Sequence, residues 1–177
     1  MTTFPHRVMG ASVLDVDTYE EVEADRGATA QAFLVVLASS LASGIGARGL
    51  GSGSLTSVVF LSGIALISWA AWALVTFEIG ARIMPTPETR VDVGELLRTI
   101  GFAATPGMLQ IFGVVPGAAV PAFVITWIWM LVAMVVAVRQ ALDFTSTARA
   151  LAVCALGWVL ALGMAITLGL FFGPTVS

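Results

Sequence analysis

TIGFAATPGMLQIFGVVPGAAVPAFVITWIWMLVAMVVAV, residues 99–138, runs for 40 residues without a charged side chain. A helix needs only about 20 residues to cross the hydrocarbon core of a bilayer, so this stretch reads as two crossings joined by a hairpin. The joint falls at Val114-Val115-Pro116-Gly117, where proline and glycine punctuate. Working outward, the stretches Gly27–Ala47, Gly49–Phe77 and Ala150–Ser177 are equally free of charge. The spans then fall near Thr29–Ala47, Leu55–Phe77, Thr99–Val115, Ala118–Val138 and Ala150–Phe171.

Composition agrees with an all-α membrane protein: 58% of residues are hydrophobic and 11% charged, where a soluble domain carries roughly 25% charged residues. The expected architecture is a five-transmembrane-helix bundle at 29–172, between a short acidic segment at 1–28 and a short tail at 173–177. Segment 1–17 has no apolar run of the kind a secretory signal requires. Thr18-Tyr19-Glu20-Glu21 fits a capping box that opens a helix leading toward the first span.

Charge sets the orientation. Placing the N-terminus inside puts seven of the eight arginines and all eleven acidic residues at the cytoplasmic face, leaving only Arg48 outside, as the positive-inside rule asks. The expected topology is N-terminus cytoplasmic and C-terminus outside.

Several function classes lose support. One cysteine (Cys154) and one histidine (His6) cannot assemble a metal site, and no nucleophile, base and carboxylate come together in the pattern that hydrolytic or phosphoryl chemistry needs. There is no lysine and no basic cluster, so nucleic acid is not an expected partner. The expectation is no enzyme, cofactor or metal.

Ionisable groups gather at the cytoplasmic rim. Glu78 and Arg82 stand four apart with Glu first, the favoured order for a helical pair. Glu95 and Arg98 follow on a short interfacial helix expected over 91–98, and Arg139 with Asp143 reads as a further pair. Asp143, Thr145 and Ser146 also read as caps for the fifth span. This rim is the candidate interaction surface for membrane lipids or a protein partner.

The third span carries Gly101, Pro106, Gly107, Gln110 and Gly113, and Pro106 cannot donate to the helical ladder, so a break is expected near Phe102–Ala103. The fifth span carries Cys154, Gly157, Ala161 and Ala165 on one stripe. Small residues let membrane helices approach closely, within the bundle or in a homo-oligomer. Trp69, Trp72, Trp127, Trp129 and Trp158 are expected to pack against such stripes.

Gly-Glu-Leu-Leu-Arg-Thr-Ile-Gly-Phe-Ala-Ala-Thr-Pro at 94–106 and Ala-Val-Arg-Gln-Ala-Leu-Asp-Phe-Thr-Ser-Thr-Ala-Arg-Ala at 137–150 resemble the Yip-domain family of Ypt/Rab-interacting membrane proteins in its compact bacterial form. Gly101-Phe102-x-x-x-Pro106 is similar to that family's Gly-Tyr-x-x-x-Pro word, with Phe for Tyr. The resemblance extends over about 18–171. It implies five helices, an N-in and C-out topology in a bacterial cell membrane, and a role in membrane organisation or trafficking through bound proteins, without catalysis. Set beside this scaffold reading is a second one, a small permease or channel using the third span broken at Pro106-Gly107.

Overall fold

The computed structural model describes residues 2–50 and 55–172, with side chains at 2–49, 56, 58–60, 62–160 and 163. Among the described residues there are seven α-helices and no strand. In chain order they are α1 (Phe4–Ser12), α2 (Val16–Ala24), α3 (Ala28–Gly46), α4 (Leu55–Phe77), α5 (Val93–Phe102), α6 (Ala119–Ala141) and α7 (Thr147–Phe172). A 3₁₀ turn follows α3 at Ala47–Leu50, a π-helical turn follows α4 at Glu78–Ile83, and a 3₁₀ segment, Thr105–Val114, follows α5. The expected outer loop at 51–54 and tail at 173–177 lie outside the described residues.

Three stretches are long and apolar enough to cross a membrane: Ala28–Gly49, Val58–Ile83 and Ala119–Ala141, with mean hydropathies of 1.6, 2.2 and 2.3. Their outward faces carry Phe33, Leu34, Phe60, Ile67, Ile125 and Ile128 exposed, which suits a hydrocarbon solvent and not water.

The start of the chain differs from expectation. Segment 4–12 is helical, with Pro5 in its first turn, where a missing N–H costs nothing. α2 opens at Asp15, whose carboxylate accepts from the Thr18 amide at 3.2 Å. The expected capping box on Thr18 does not form. Thr18 is buried against Gly10, where a Cβ would stand 2.1 Å from its hydroxyl. At Gly27 the chain bends into α3, and the Gly27 amide donates to Asp25 at 2.8 Å.

The third apolar stretch is broken where expected. α5 ends at Phe102, and a proline at 106 has no N–H to give the Phe102 carbonyl. The Thr105 hydroxyl donates to that carbonyl instead. Beyond it, ten residues wind as 3₁₀ helix, a run well past the usual three or four. Its cause is the seam with α3. A 3₁₀ helix repeats every three residues, so Gly107, Gln110 and Gly113 share one face. On α3 the matching face has Ala32, Ser39 and Gly46, seven apart.

The contacts along this seam run in order. A Cβ on Gly101 would stand 2.7 Å from the Ala32 Cβ, one on Gly107 would stand 2.1 Å from the Ser39 hydroxyl, and one on Gly46 would stand 1.9 Å from the Gln110 carbonyl. Only hydrogen fits at these positions. Small residues bring the backbones together as in other close membrane-helix pairs.

α7 packs on α4 through the expected small stripe. Cys154 is buried, and the Trp72 ring fills the space beside Gly157, 2.9 Å from where a Cβ would be. Trp72 and Trp158 stack with centroids 6.5 Å apart. The side chains of Ala161 and Ala165 lie outside the described residues.

Candidate functional site

Charged side chains gather where the N-terminal ends of α5 and α7 meet the C-terminal ends of α2 and α6, and much of this charge is used internally. α5 opens with a capping box: the Glu95 amide donates to Asp92 at 2.8 Å, and the Asp92 amide to Glu95 at 2.7 Å. Two of the expected rim residues, Glu95 and Arg98, are thus tied down within the fold. Glu95 belongs to its own helix start. Arg98 is 5% exposed, and its guanidinium donates to the Val22 carbonyl at 3.0 Å and to that of Glu23. These are free carbonyls at the end of α2, where a cation also suits the helix dipole. Arg98 is therefore a clamp holding α2 onto α5.

Arg7 is a second clamp that sequence reading used only as an orientation marker. It is 2% exposed, and it pairs with Glu21 at 2.9 Å and Asp25 at 2.8 Å while donating to Gln31 at 3.0 Å. The partners stand 14 to 24 residues away, so no local spacing announces them. Hydrogen bonds from the Thr2 hydroxyl and amide, then from Arg7, hold the Glu21 carboxyl down at about 2. Hydrogen bonds from Arg7 and from the Gly27 amide likewise lower Asp25.

Glu23 goes the other way. Burial, then the like charges of Asp143 and Glu95, raise it to about 7. Glu20 beside it accepts from Gln140 at 3.2 Å. Docking α2 thus brings acids from three helices together under Arg98.

The expected Arg139–Asp143 pair does not form. Asp143 has φ 52, and the Asp143 and Phe144 amides bond back to the Gln140 and Arg139 carbonyls at 2.9 Å each. This is a Schellman ending for α6 with Asp at the left-handed position, so Asp143 closes α6 and does not cap the fifth span. Arg139 donates to the Phe144 carbonyl and the Thr147 hydroxyl, each at 3.2 Å.

Glu78 and Arg82 do pair, at 3.0 Å, on the π turn and largely exposed. The turn itself lets Gly80 receive Leu142. Such an exposed pair is worth at most about 1 kcal/mol, which leaves both groups available to others. Arg149 donates to the Pro85 carbonyl at 3.2 Å, and Glu88 and Arg90 are exposed nearby.

A cleft of about 360 Å³ lies away from this charged end, against the 3₁₀ segment. Ser39, Ser40 and Ser43 of α3 and Gln110 line it with Val58 and Trp127. It continues into a second cleft of about 330 Å³ lined by Trp69, Trp72, Ile100 and Met134, the two sharing Ser39, Ser40, Ala65 and Met130. Among the described residues no three of His, Cys, Asp and Glu group as metal ligands.

An all-helical chain with membrane-length apolar helices, packed around a proline-broken one whose glycines key into α3, defines a membrane-embedded helical protein. The Yip1 domain matches residues 13–168, and the chain belongs to that family. Comparison with curated proteins and with solved structures gives no match. The first family word contains the Arg98 clamp, with Gly101 in the seam and Phe102 and Pro106 at the break, and the second contains Arg139 and Asp143 at the end of α6.

Proposed function

We propose that this protein is a non-enzymatic membrane scaffold with five spans, N-terminus cytoplasmic and C-terminus outside, in a bacterial cell membrane. It recruits a protein partner or lipid headgroups at its charged cytoplasmic rim. The broken α5 and 3₁₀ unit serves as the third span, and α7 as the fifth. The observation carrying the reading is how the charge is divided. Arg7 and Arg98 are buried as clamps, while the Glu78–Arg82 pair, Glu88, Arg90 and Arg149 stand exposed at the same end. These exposed groups form the docking surface, with Arg139 and Asp143 at its edge and Glu95 beneath.

A homo-oligomer built on the Cys154–Gly157 stripe is disfavoured, since Trp72 already occupies that groove. The permease reading is disfavoured by the second cleft, whose lining turns to tryptophan, isoleucine and methionine, because a permeation path needs polar groups through the bilayer depth.

Photocrosslinkers placed at Arg90 and Arg149 in native membranes test the docking surface. Reproducible protein adducts there, with none from Phe60 on the exposed face of α4, support it; equal recovery from Phe60 removes it. For topology, Ser52→Cys in a Cys154→Ala background reacts with an impermeant thiol reagent only from outside. Reaction from the cytoplasm reverses the orientation.

A further inference from the structure

The paired clefts hold a group of polar side chains that the bundle leaves unsatisfied. Gln110 is 5% exposed and Ser39 6% exposed. Among the described residues no side-chain hydrogen bond ties Gln110, Ser39, Ser40 or Ser43 to the bundle, and all four line the first cleft. In an apolar membrane surround such groups favour a polar partner entering the cleft. No charged residue lines either cleft, which favours an ester or hydroxyl at this depth over an ion.

The second cleft is apolar and continuous with the first, and the Trp72 indole nitrogen buried beside it also lacks a partner. The first cleft reaches Ala47 at the end of α3. The next residue is Arg48, exposed, and the only basic residue of the segments assigned to the outer side. Over the described residues α4 and α6 have no substantial packing against each other, so the groove between them opens sideways to the lipid.

From this order of groups, cation at the end, neutral donors and acceptors beneath, apolar slot beyond, we infer that the groove binds one diacyl phospholipid of the outer leaflet. Its phosphate meets Arg48, its ester region meets Ser43 and Gln110, and one acyl chain lies along Met130 toward Trp72 and Met134. The binding site is distinct from the cytoplasmic rim. Its leaflet rests on the N-in orientation, which the Ser52→Cys labelling checks separately.

The test is reconstitution of the full chain into phosphatidylcholine vesicles doped with phosphatidylglycerol bearing a diazirine on one acyl chain, with adducts mapped by mass spectrometry. Adducts should concentrate on Met130, Met134 and Trp72 over lipid-facing Val59 and Phe60. Ala65→Phe, which fills the shared section of the groove, should lower the groove adducts about tenfold and leave those on Val59 and Phe60 unchanged. Arg48→Gln should lower them several-fold. Gln110→Leu serves as the second groove variant, and its thermal midpoint reports folding. Adducts spread evenly over groove and outer face, or groove adducts that survive Ala65→Phe and Gln110→Leu in folded protein, overturn the inference and leave a groove filled by water or by exchanging bulk lipid.

Discussion

Gly46→Ala and Gly63→Ala add the same methyl group to helices of the same bundle, and the seam between α3 and the 3₁₀ segment sets their signs apart. At Gly46 the new Cβ would stand 1.9 Å from the Gln110 carbonyl oxygen and 2.9 Å from its carbon. Both are backbone atoms that cannot swing aside. Relieving the clash requires the two backbones to part by more than about 1 Å, which loosens the neighbouring contacts at Gly113 and Ser39 because dispersion falls steeply with separation. Overpacking of this kind costs about 1–3 kcal/mol, offset by up to about 1 kcal/mol from the better helix propensity of alanine.

At Gly63 in α4 a Cβ would meet nothing within 4 Å, so only the propensity gain remains, up to about 1 kcal/mol. The expected gap between the two variants is about 2 kcal/mol, roughly 30-fold in the unfolding equilibrium. Tryptophan fluorescence during denaturant titration in one detergent reads it directly. A Gly46→Ala protein as stable as Gly63→Ala refutes the seam.

Further outcomes follow from the clamps and the break. Thr105→Val should cost about 1–3 kcal/mol by orphaning the Phe102 carbonyl, while Thr105→Ser restores most of it; unfolding titrations rank the three. Arg98→Met should free α2 while leaving the spans intact, and hydrogen exchange should rise over 16–24 with little change in α6. Docking of α2 should be pH-dependent in both directions. Glu23, raised to about 7, contributes stability that fades as pH climbs from its unfolded value through 7, whereas Glu21, held at about 2, contributes stability lost as pH falls from its unfolded value toward 2. Protection over 16–24, taken relative to intrinsic exchange rates at each pH, should be greatest near about pH 5, and Glu23→Gln should flatten the alkaline side alone.

What was legible in the sequence was whatever depends on local pattern. α4 runs Leu55–Phe77 as the uncharged stretch requires, α3 and α6 lie within a few residues of their expected bounds, and the break follows from Pro106. The helix expected over 91–98 starts at Val93, with its cap at Asp92. The rest depends on partners far along the chain. Arg98 looks like any rim arginine until α2, more than 70 residues earlier, presents its carbonyls. Asp143 looks like a cap for the next helix because its left-handed backbone is not written in its neighbours. The 3₁₀ winding did leave a trace: Gly107 and Gly113 stand six residues apart with Gln110 midway. That period belongs to two 3₁₀ turns and to no α-helical face.

Winding also acts as a measure of length. Ten residues of 3₁₀ helix rise about 20 Å, where the same ten as α-helix would rise about 15 Å. Gly107 to Gly113 then spans about 12 Å, against about 9 Å if coiled as α-helix and about 10.5 Å for Ser39 to Gly46 on α3. Recoiling would shorten the segment by roughly a quarter and turn Gln110 away from Gly107 and Gly113. Span length, glycine register and the direction of the one buried carboxamide are therefore a single coupled variable.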